Sequence, residues 1–90
     1  MMVIYGKEMC EWCDKAKELC RQYGIVFEYR PIDDRFVGEA NFNILKEQVK
    51  ADNLNVKTVP AIWHHNKYIG GYTELNIYIE NTREYGQGDF

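Results

Sequence analysis

The chain has 90 residues, of which 46% are apolar, and carries a formal net charge of −3. This length allows one small domain, and the apolar fraction is sufficient for a hydrophobic core without a metal or disulfide scaffold. The 11 basic and 14 acidic residues are interleaved along the chain, which argues against a nucleic-acid-binding surface. No apolar run approaches the roughly 18 residues of a membrane-spanning helix, and no signal-peptide pattern is present. We therefore expect one cytoplasmic domain, residues 1–90, with neither nucleic acid nor membrane as a partner.

The first part of the chain predicts a strand, a helix and a second strand. Met2–Tyr5 is an apolar, strand-like run, and Glu11–Tyr23 has an apolar stripe at helical spacing. Gly24 suits a left-handed residue that ends the helix, and Ile25–Ile32 alternates as a strand does. Because a strand, helix and strand in succession almost always close into a parallel unit, the two strands are predicted to be parallel.

The rest of the chain predicts two further helices and a hairpin. Glu39–Asp52 places Phe42, Leu45 and Val49 on one face of a helix. Pro60 cannot donate a backbone hydrogen bond, so a strand begins there. The remaining predicted elements are strand Ala61–Trp63, a turn at His64–Lys67, an antiparallel strand Tyr68–Ile69, a helix Thr73–Tyr85 ended by Gly86, and a loose tail Gln87–Phe90. The order β-α-β-α-β-β-α predicts an α/β fold with a four-stranded mixed sheet flanked by three helices.

Cys10 and Cys13 form a CxxC motif at the predicted start of the first helix. Residues three apart in a helix differ by about 4.5 Å along the axis, so this pair can form and break a disulfide without refolding. Unpaired N–H groups and the positive end of the helix dipole favour a thiolate there, which makes Cys10 the predicted nucleophile. Cys20 lies about 10.5 Å further along the axis than Cys13, too far for a disulfide. It falls on the apolar stripe, so we expect it to be buried and inert.

Three separated motifs resemble those of the glutaredoxins, a family with the thioredoxin-like fold. They are Lys7–Cys13 (KEMCEWC), Thr58–Pro60 (TVP) and Gly70–Thr73 (GGYT). The motifs span nearly the whole chain, and their joint occurrence in this order is far more specific than any one of them. The resemblance implies a glutathione-dependent thiol–disulfide oxidoreductase that reduces protein disulfides and glutathione mixed disulfides. It also implies that Cys10 and Cys13 are the catalytic residues, with Cys10 attacking and Cys13 resolving.

The resemblance further implies a glutathione-binding site. Val59-Pro60 is expected to be a cis peptide whose exposed backbone pairs with the cysteine portion of glutathione. Gly71 permits close approach of a ligand, and the N–H groups of Tyr72 and Thr73 are expected to hold the γ-glutamyl carboxylate at a helix start. The Thr73 hydroxyl is expected to be the helix N-cap. The implied glutathione-binding residues are Lys7, Trp12, Thr58, Val59, Pro60, Gly71, Tyr72 and Thr73.

Residues close to Cys10 in the chain affect its expected reactivity. Lys7 is implied to stabilise the thiolate and to attract the glycyl carboxylate of glutathione. Glu11 stands where the family commonly has proline, and Trp12 stands where it commonly has tyrosine. The Glu11 charge opposes the effects of Lys7 and the helix dipole, each worth about 1 kcal/mol. The direction of the net change in redox potential is therefore not decided by the sequence.

Glutathione is the expected co-substrate, and thiol–disulfide exchange requires no metal. Disulfide-containing proteins are the expected clients, with ribonucleotide reductase a candidate from the resemblance, and we expect a monomer. Two alternatives are a redoxin reduced by thioredoxin reductase and a protein that binds a glutathione-ligated iron–sulfur cluster. A zinc site is disfavoured because His64 and His65 are adjacent and lack the usual ligand spacing. Both histidines are expected on the surface of a turn.

Overall fold

The computed structural model describes residues 1–86, with side chains to residue 82. Within that range it contains the elements β1 Met2–Gly6, α1 Glu11–Gln22, β2 Phe27–Pro31, α2 Gly38–Ala51, β3 Ala61–His64, β4 Lys67–Gly70 and α3 Tyr72–Gly86. The predicted order of strands and helices is confirmed. The tail expected at Gln87–Phe90 lies outside the described residues. No helix in the described range combines the length and the apolarity needed to cross a bilayer.

The strands form one mixed sheet in the order β2-β1-β3-β4. β1 and β2 are parallel, with Ile4 opposite Tyr29, which confirms the predicted parallel pair. β3 runs antiparallel to both of its neighbours, β1 and β4. Tyr5, near the end of β1, lies opposite Ala61, the first residue of β3. This register brings the chain that follows β1, with the CxxC motif, close to the chain that precedes β3.

The sheet has a hydrophobic core on each face, because successive side chains of a strand point to opposite sides. The core between the sheet and helices α1 and α3 contains Met2, Ile4, Ala16, Leu19, Cys20, Ile25, Ile62, Leu75 and Ile79. The core on the α2 side contains Tyr5, Leu45, Ala61 and Trp63. Helices α1 and α3 therefore share one face of the sheet, and α2 covers the other.

The connection from α1 to β2 differs from the prediction in one respect. Gly24 has a φ of +67°, and the N–H groups of Gly24 and Ile25 donate to the carbonyls of Arg21 and Cys20, respectively. These two hydrogen bonds form a Schellman motif at the end of the helix. The Ile25 N–H therefore closes α1 and does not join the sheet. For this reason β2 begins at Phe27, two residues after the predicted start.

The predicted position of His64 on a turn surface is wrong. The pairing of β1 with β3 extends to Met2 opposite His64, so His64 is the last residue of β3 and is only 9% exposed. Its Nδ1 lies 2.6 Å from the hydroxyl oxygen of Tyr78 on α3. The turn consists of His65 and Asn66, which have φ values of +51° and +66°, as in a two-residue type I′ hairpin. Of the two histidines, only His65 is exposed.

His64 is expected to make the stability of the protein depend on pH. Burial, with a further contribution from the charge of His65, lowers the pKa of His64 from 6.5. The unfolded chain therefore binds a proton at His64 more readily than the folded chain does, and stability is lost as pH falls below about 6.5. Urea denaturation gives the free energy of unfolding at about pH 7.5 and about pH 5.5. The decrease in this free energy at the lower pH should be smaller for His64→Gln than for the unmodified protein. The unmodified protein is the reference, and an equal pH effect in it and in His64→Gln would contradict the assignment.

Candidate active site

The CxxC pair lies at the N-terminus of α1 and forms a disulfide. Cys10 is the N-cap residue, and its Cα lies 5.2 Å from the Cα of Cys13 in the first turn. Cys13 is fully buried, whereas Cys10 is half-buried. The Sγ atom of Cys10 accepts a hydrogen bond of 3.1 Å from the backbone N–H of Cys13. Because such a donor at a helix N-terminus stabilises negative charge on sulfur, the geometry favours a thiolate at Cys10.

The turn before Cys10 is tied to the chain that follows β2. The backbone N–H of Glu8 donates to both carboxylate oxygens of Asp33, at 3.2 and 3.1 Å.

On the other side of Cys10, the exposed carboxylate of Glu11 lies 3.6 Å from the Nζ atom of Lys15. Water and Lys15 therefore screen the charge that was expected to oppose a thiolate.

A groove of about 380 Å³, named here the first groove, contains most of the predicted binding residues. It is lined by Trp12, Thr58, Val59, Pro60, Gly71, Tyr72, Thr73 and Glu74. All of these except Glu74 belong to the predicted glutathione site. The carbonyl oxygen of Val59 lies 3.9 Å from the Sγ atom of Cys10, and the Val59-Pro60 peptide is cis, as the family resemblance implied. One lining residue of the first groove therefore lies beside the reactive sulfur.

Two aromatic rings from different helices meet in the first groove. Trp12 on α1 and Tyr72 on α3 have ring centroids 5.4 Å apart. Trp12 is 52% exposed, and the Nζ atom of Lys15 lies 4.5 Å from the centroid of its ring. Trp12 therefore presents a flat apolar face to the first groove.

Lys7 is the predicted binding residue that lies outside the first groove. It lines a neighbouring cavity of about 330 Å³, named here the second groove. Both grooves are lined by Thr58 and Val59. The two grooves therefore meet at the residue whose carbonyl group lies beside Cys10.

Glu74 is a groove residue that sequence reasoning missed. Its Oε1 atom accepts a hydrogen bond of 2.8 Å from the backbone N–H of Gly71. Helix α3 begins at Tyr72, so Gly71 is its N-cap and the N-cap role expected of Thr73 is wrong. A glutamate three residues after the N-cap is the second half of a capping box. In the sequence, this contact is indicated by a glutamate three residues after the glycine that precedes the helix.

Cys20 is fully buried in the core between the sheet and α1 and α3, as predicted. Burial raises the pKa of its thiol to about 11, and nearby Arg21 lowers it only in part. Within the described residues, no group of three or more His, Cys, Asp or Glu side chains is arranged to hold a metal ion. Cys20 is thus a residue of the hydrophobic core, whereas Cys10 is accessible to solvent.

We expect iodoacetamide to alkylate Cys10 much faster than Cys20 in the reduced native protein at about pH 8, because the thiolate is the reactive species. Mass spectrometry of proteolytic fragments measures the modification of each cysteine over time. In urea all three cysteines should react, which controls for detection of the Cys20 fragment. Modification of Cys20 in the native protein at a rate near that of Cys10 would contradict its burial.

Comparison with known proteins gives one consistent result. The glutaredoxin family model matches residues 2–69. Glutaredoxin 1 of Escherichia coli K12 is 30% identical over 83 residues, which cover 89% of this chain and 93% of that protein. Glutaredoxin 3 of the same organism is 33% identical over 72 residues, which cover 80% and 77% of the two chains. The crystal structure of glutaredoxin 1 from Francisella tularensis complexed with cacodylate matches with a TM-score of 0.72 and 28% identity, covering 92% of this chain and 95% of that one.

Proposed function

The chain belongs to the glutaredoxin family, whose members are thiol–disulfide oxidoreductases, and on this premise we propose that it reduces protein disulfides and glutathione mixed disulfides with glutathione as the electron donor. The observation that carries the proposal is the half-buried Cys10 at a helix N-terminus, 3.9 Å from the Val59 carbonyl where two grooves meet. This position leaves the sulfur accessible to a substrate that lies along the groove.

The proposed reaction is two successive thiol–disulfide exchanges. The Cys10 thiolate attacks one sulfur of the client disulfide, forms a mixed disulfide and releases the first client thiolate, which takes a proton from water. The Cys13 thiolate then attacks Cys10 Sγ, releases the second client thiolate and forms the Cys10–Cys13 disulfide. The client gains two electrons, and the enzyme dithiol loses two. Two glutathione molecules restore the dithiol by the same exchanges and leave as glutathione disulfide.

The different surroundings of the two sulfurs support this division of roles. Cys10 is half-buried and receives the Cys13 N–H, so it is both reachable and stabilised as a thiolate. Cys13 is fully buried beneath it. An external disulfide can therefore approach Cys10, whereas Cys13 is placed to attack only a sulfur that is already bonded to Cys10.

The grooves support a specific position for glutathione. Its cysteine portion would pair with the backbone at Val59, and its γ-glutamyl carboxylate would accept hydrogen bonds at the start of α3, from Tyr72 and Thr73. Glu74 lines the same groove and offers a carboxylate to the ligand's ammonium group. The glycyl carboxylate would extend toward Lys7 in the second groove. Under this proposal the predicted glutathione site uses both grooves.

The natural client protein and the cellular compartment are proposed from membership of the family and from the redox chemistry of a dithiol. A reducing compartment such as the cytoplasm keeps a dithiol of this kind in its active form. Ribonucleotide reductase is the candidate client carried over from the family resemblance, and a monomer is sufficient because every proposed catalytic and binding residue lies in one chain.

A coupled assay distinguishes glutathione from thioredoxin reductase as the electron source. We expect NADPH oxidation when the protein is supplied with a small glutathione mixed disulfide, glutathione and glutathione reductase. We expect no NADPH oxidation with thioredoxin reductase alone, because seven of the eight residues that line the first groove are ones that the family resemblance assigns to glutathione binding. Turnover only with thioredoxin reductase would overturn the proposed electron donor while leaving the thiol–disulfide chemistry intact.

A further inference from the structure

The second groove has an apolar floor. The floor is formed by Ile32, Phe42, Leu45 and Val56. Phe42 is 42% exposed, although it is a large aromatic side chain. The glycyl end of glutathione has no side chain, so in the position proposed above it would leave this floor uncovered. An apolar cavity beside a reactive group is a common form of binding site.

Lysines surround the apolar floor. Lys7 and Lys57 line the groove, and the Nζ atom of Lys46 lies 4.8 Å from the centroid of the Phe42 ring. Among the side chains that the structure describes, none of these lysines forms an ion pair, whereas lysines of α1 do. The protein as a whole has a net charge of −3. The second groove is therefore a local positive surface that is complementary to carboxylates.

The two grooves extend in different directions from the Thr58 and Val59 that they share. The first groove contains residues of α1 and α3, and the second contains residues of α2, which covers the opposite face of the sheet. Both include Val59, whose carbonyl oxygen lies 3.9 Å from Cys10 Sγ. An extended chain advances about 3.3 Å per residue. A client cysteine bonded to Cys10 therefore places the residues on its two sides within reach of different grooves.

We propose that the second groove is a specificity site for protein clients, and that it binds a segment in which the client cysteine is followed by apolar residues and then by acidic ones. The direction rests on the proposed function, which places the γ-glutamyl end of glutathione in the first groove and the following glycyl end in the second. An apolar client side chain packs on Phe42, and a client carboxylate pairs with Lys57 or Lys46. The groove thereby selects among clients without taking part in the sulfur exchange.

Two peptides of identical composition test the proposal. In one, a cysteine is followed by two leucines and two glutamates, and in the other the same residues precede the cysteine. Each peptide is capped at both ends and supplied as its symmetric disulfide dimer. The protein is reduced beforehand and used without glutathione, and the single-turnover rate constant is measured. We expect the first peptide to react about tenfold faster, the selectivity that a small apolar contact commonly provides.

Substitutions in the second groove are expected to remove this preference. Phe42→Ala and Lys57→Glu should bring the ratio of the two rate constants toward one. The matched controls on α2 are Ile44→Ala, an exposed apolar residue, and Lys50→Glu, an exposed lysine, and neither lines a groove. Both controls should retain the ratio. The ratio is compared within each protein, so a loss of folded protein does not change it.

Equal rates for the two peptides, a preference for the second peptide, or a ratio unchanged in both groove variants would overturn the proposal. Because glutathione is absent, these outcomes are independent of the electron donor. A peptide preference that is present in a protein without glutathione turnover would contradict the proposed donor and support the client site.

Discussion

Cys10→Ser is expected to lower the rate of disulfide reduction by at least about a hundredfold, because exchange begins with attack by a thiolate on the substrate disulfide. Cys10 is the accessible sulfur of the pair and the one that accepts the Cys13 N–H. A serine hydroxyl in its place is not ionised near neutral pH and forms no disulfide. The rate is measured with a glutathione mixed disulfide in the assay coupled to glutathione reductase.

Cys13→Ser is the matched variant, and its expected result is different. A second glutathione can release a glutathione bonded to Cys10, so reduction of glutathione mixed disulfides should persist. Reduction of protein disulfides should fall, because Cys13 is needed to resolve the client from Cys10. Loss of all activity in Cys13→Ser together with retained activity in Cys10→Ser would refute the assigned roles.

Gly70→Ala should lower the free energy of unfolding by about 3 kcal/mol or more. Gly70 has a φ of +128°, which residues with a side chain rarely adopt, and an added Cβ would lie 2.7 Å from the Cβ and Cγ atoms of Glu74. Glu74 also caps α3 through the N–H of Gly71. Any shift of Glu74 that relieves the overlap therefore weakens the helix start. Urea denaturation gives the change in free energy.

Gly24→Ala is the control that separates backbone conformation from steric overlap. Gly24 also has a positive φ, +67°, but a Cβ added there would have no atom within 4 Å. Its expected cost is about 1–2 kcal/mol, the cost of placing alanine in a left-handed conformation. If Gly70→Ala destabilises the protein no more than Gly24→Ala does, the close approach of Glu74 to Gly70 does not constrain the fold.

The order of helices and strands was predictable because its signals are local. The apolar stripe of α1, the alternation in the first strands and the glycine at position 24 each act within a few residues. The predicted element bounds were wrong where a contact with a residue further along the chain outweighed the local pattern. Ile25 was assigned to a strand, but its N–H bonds to Cys20 at the end of α1. His64 was assigned to a turn, but pairing with Met2 extends β3 to include it.

The candidate site was predictable to a similar extent. Motif residues of the CxxC, TVP and double-glycine segments lie together because the register of β1 with β3 and the packing of α1 beside α3 bring them together. Glu74 lies outside the three motifs, and it enters the groove through the hydrogen bond that its side chain accepts from the Gly71 N–H. Lys7 was expected to act beside the sulfur of Cys10, and the sequence contained no indication that it lines a second groove, which shares Thr58 and Val59 with the first.

By itself the sequence determined the element order, the placement of Cys10 and Cys13 at a helix start and the identity of the motif residues. Hydrophobic periodicity, helix ends and motif spacing are properties of neighbouring residues, so they can be recognised before folding. Only the tertiary structure decided that Cys13 is buried while Cys10 remains accessible, that His64 is internal, and that two grooves of different chemistry meet at Val59. These features depend on strand register and on helices packing against opposite faces of the sheet, which join residues far apart in the chain.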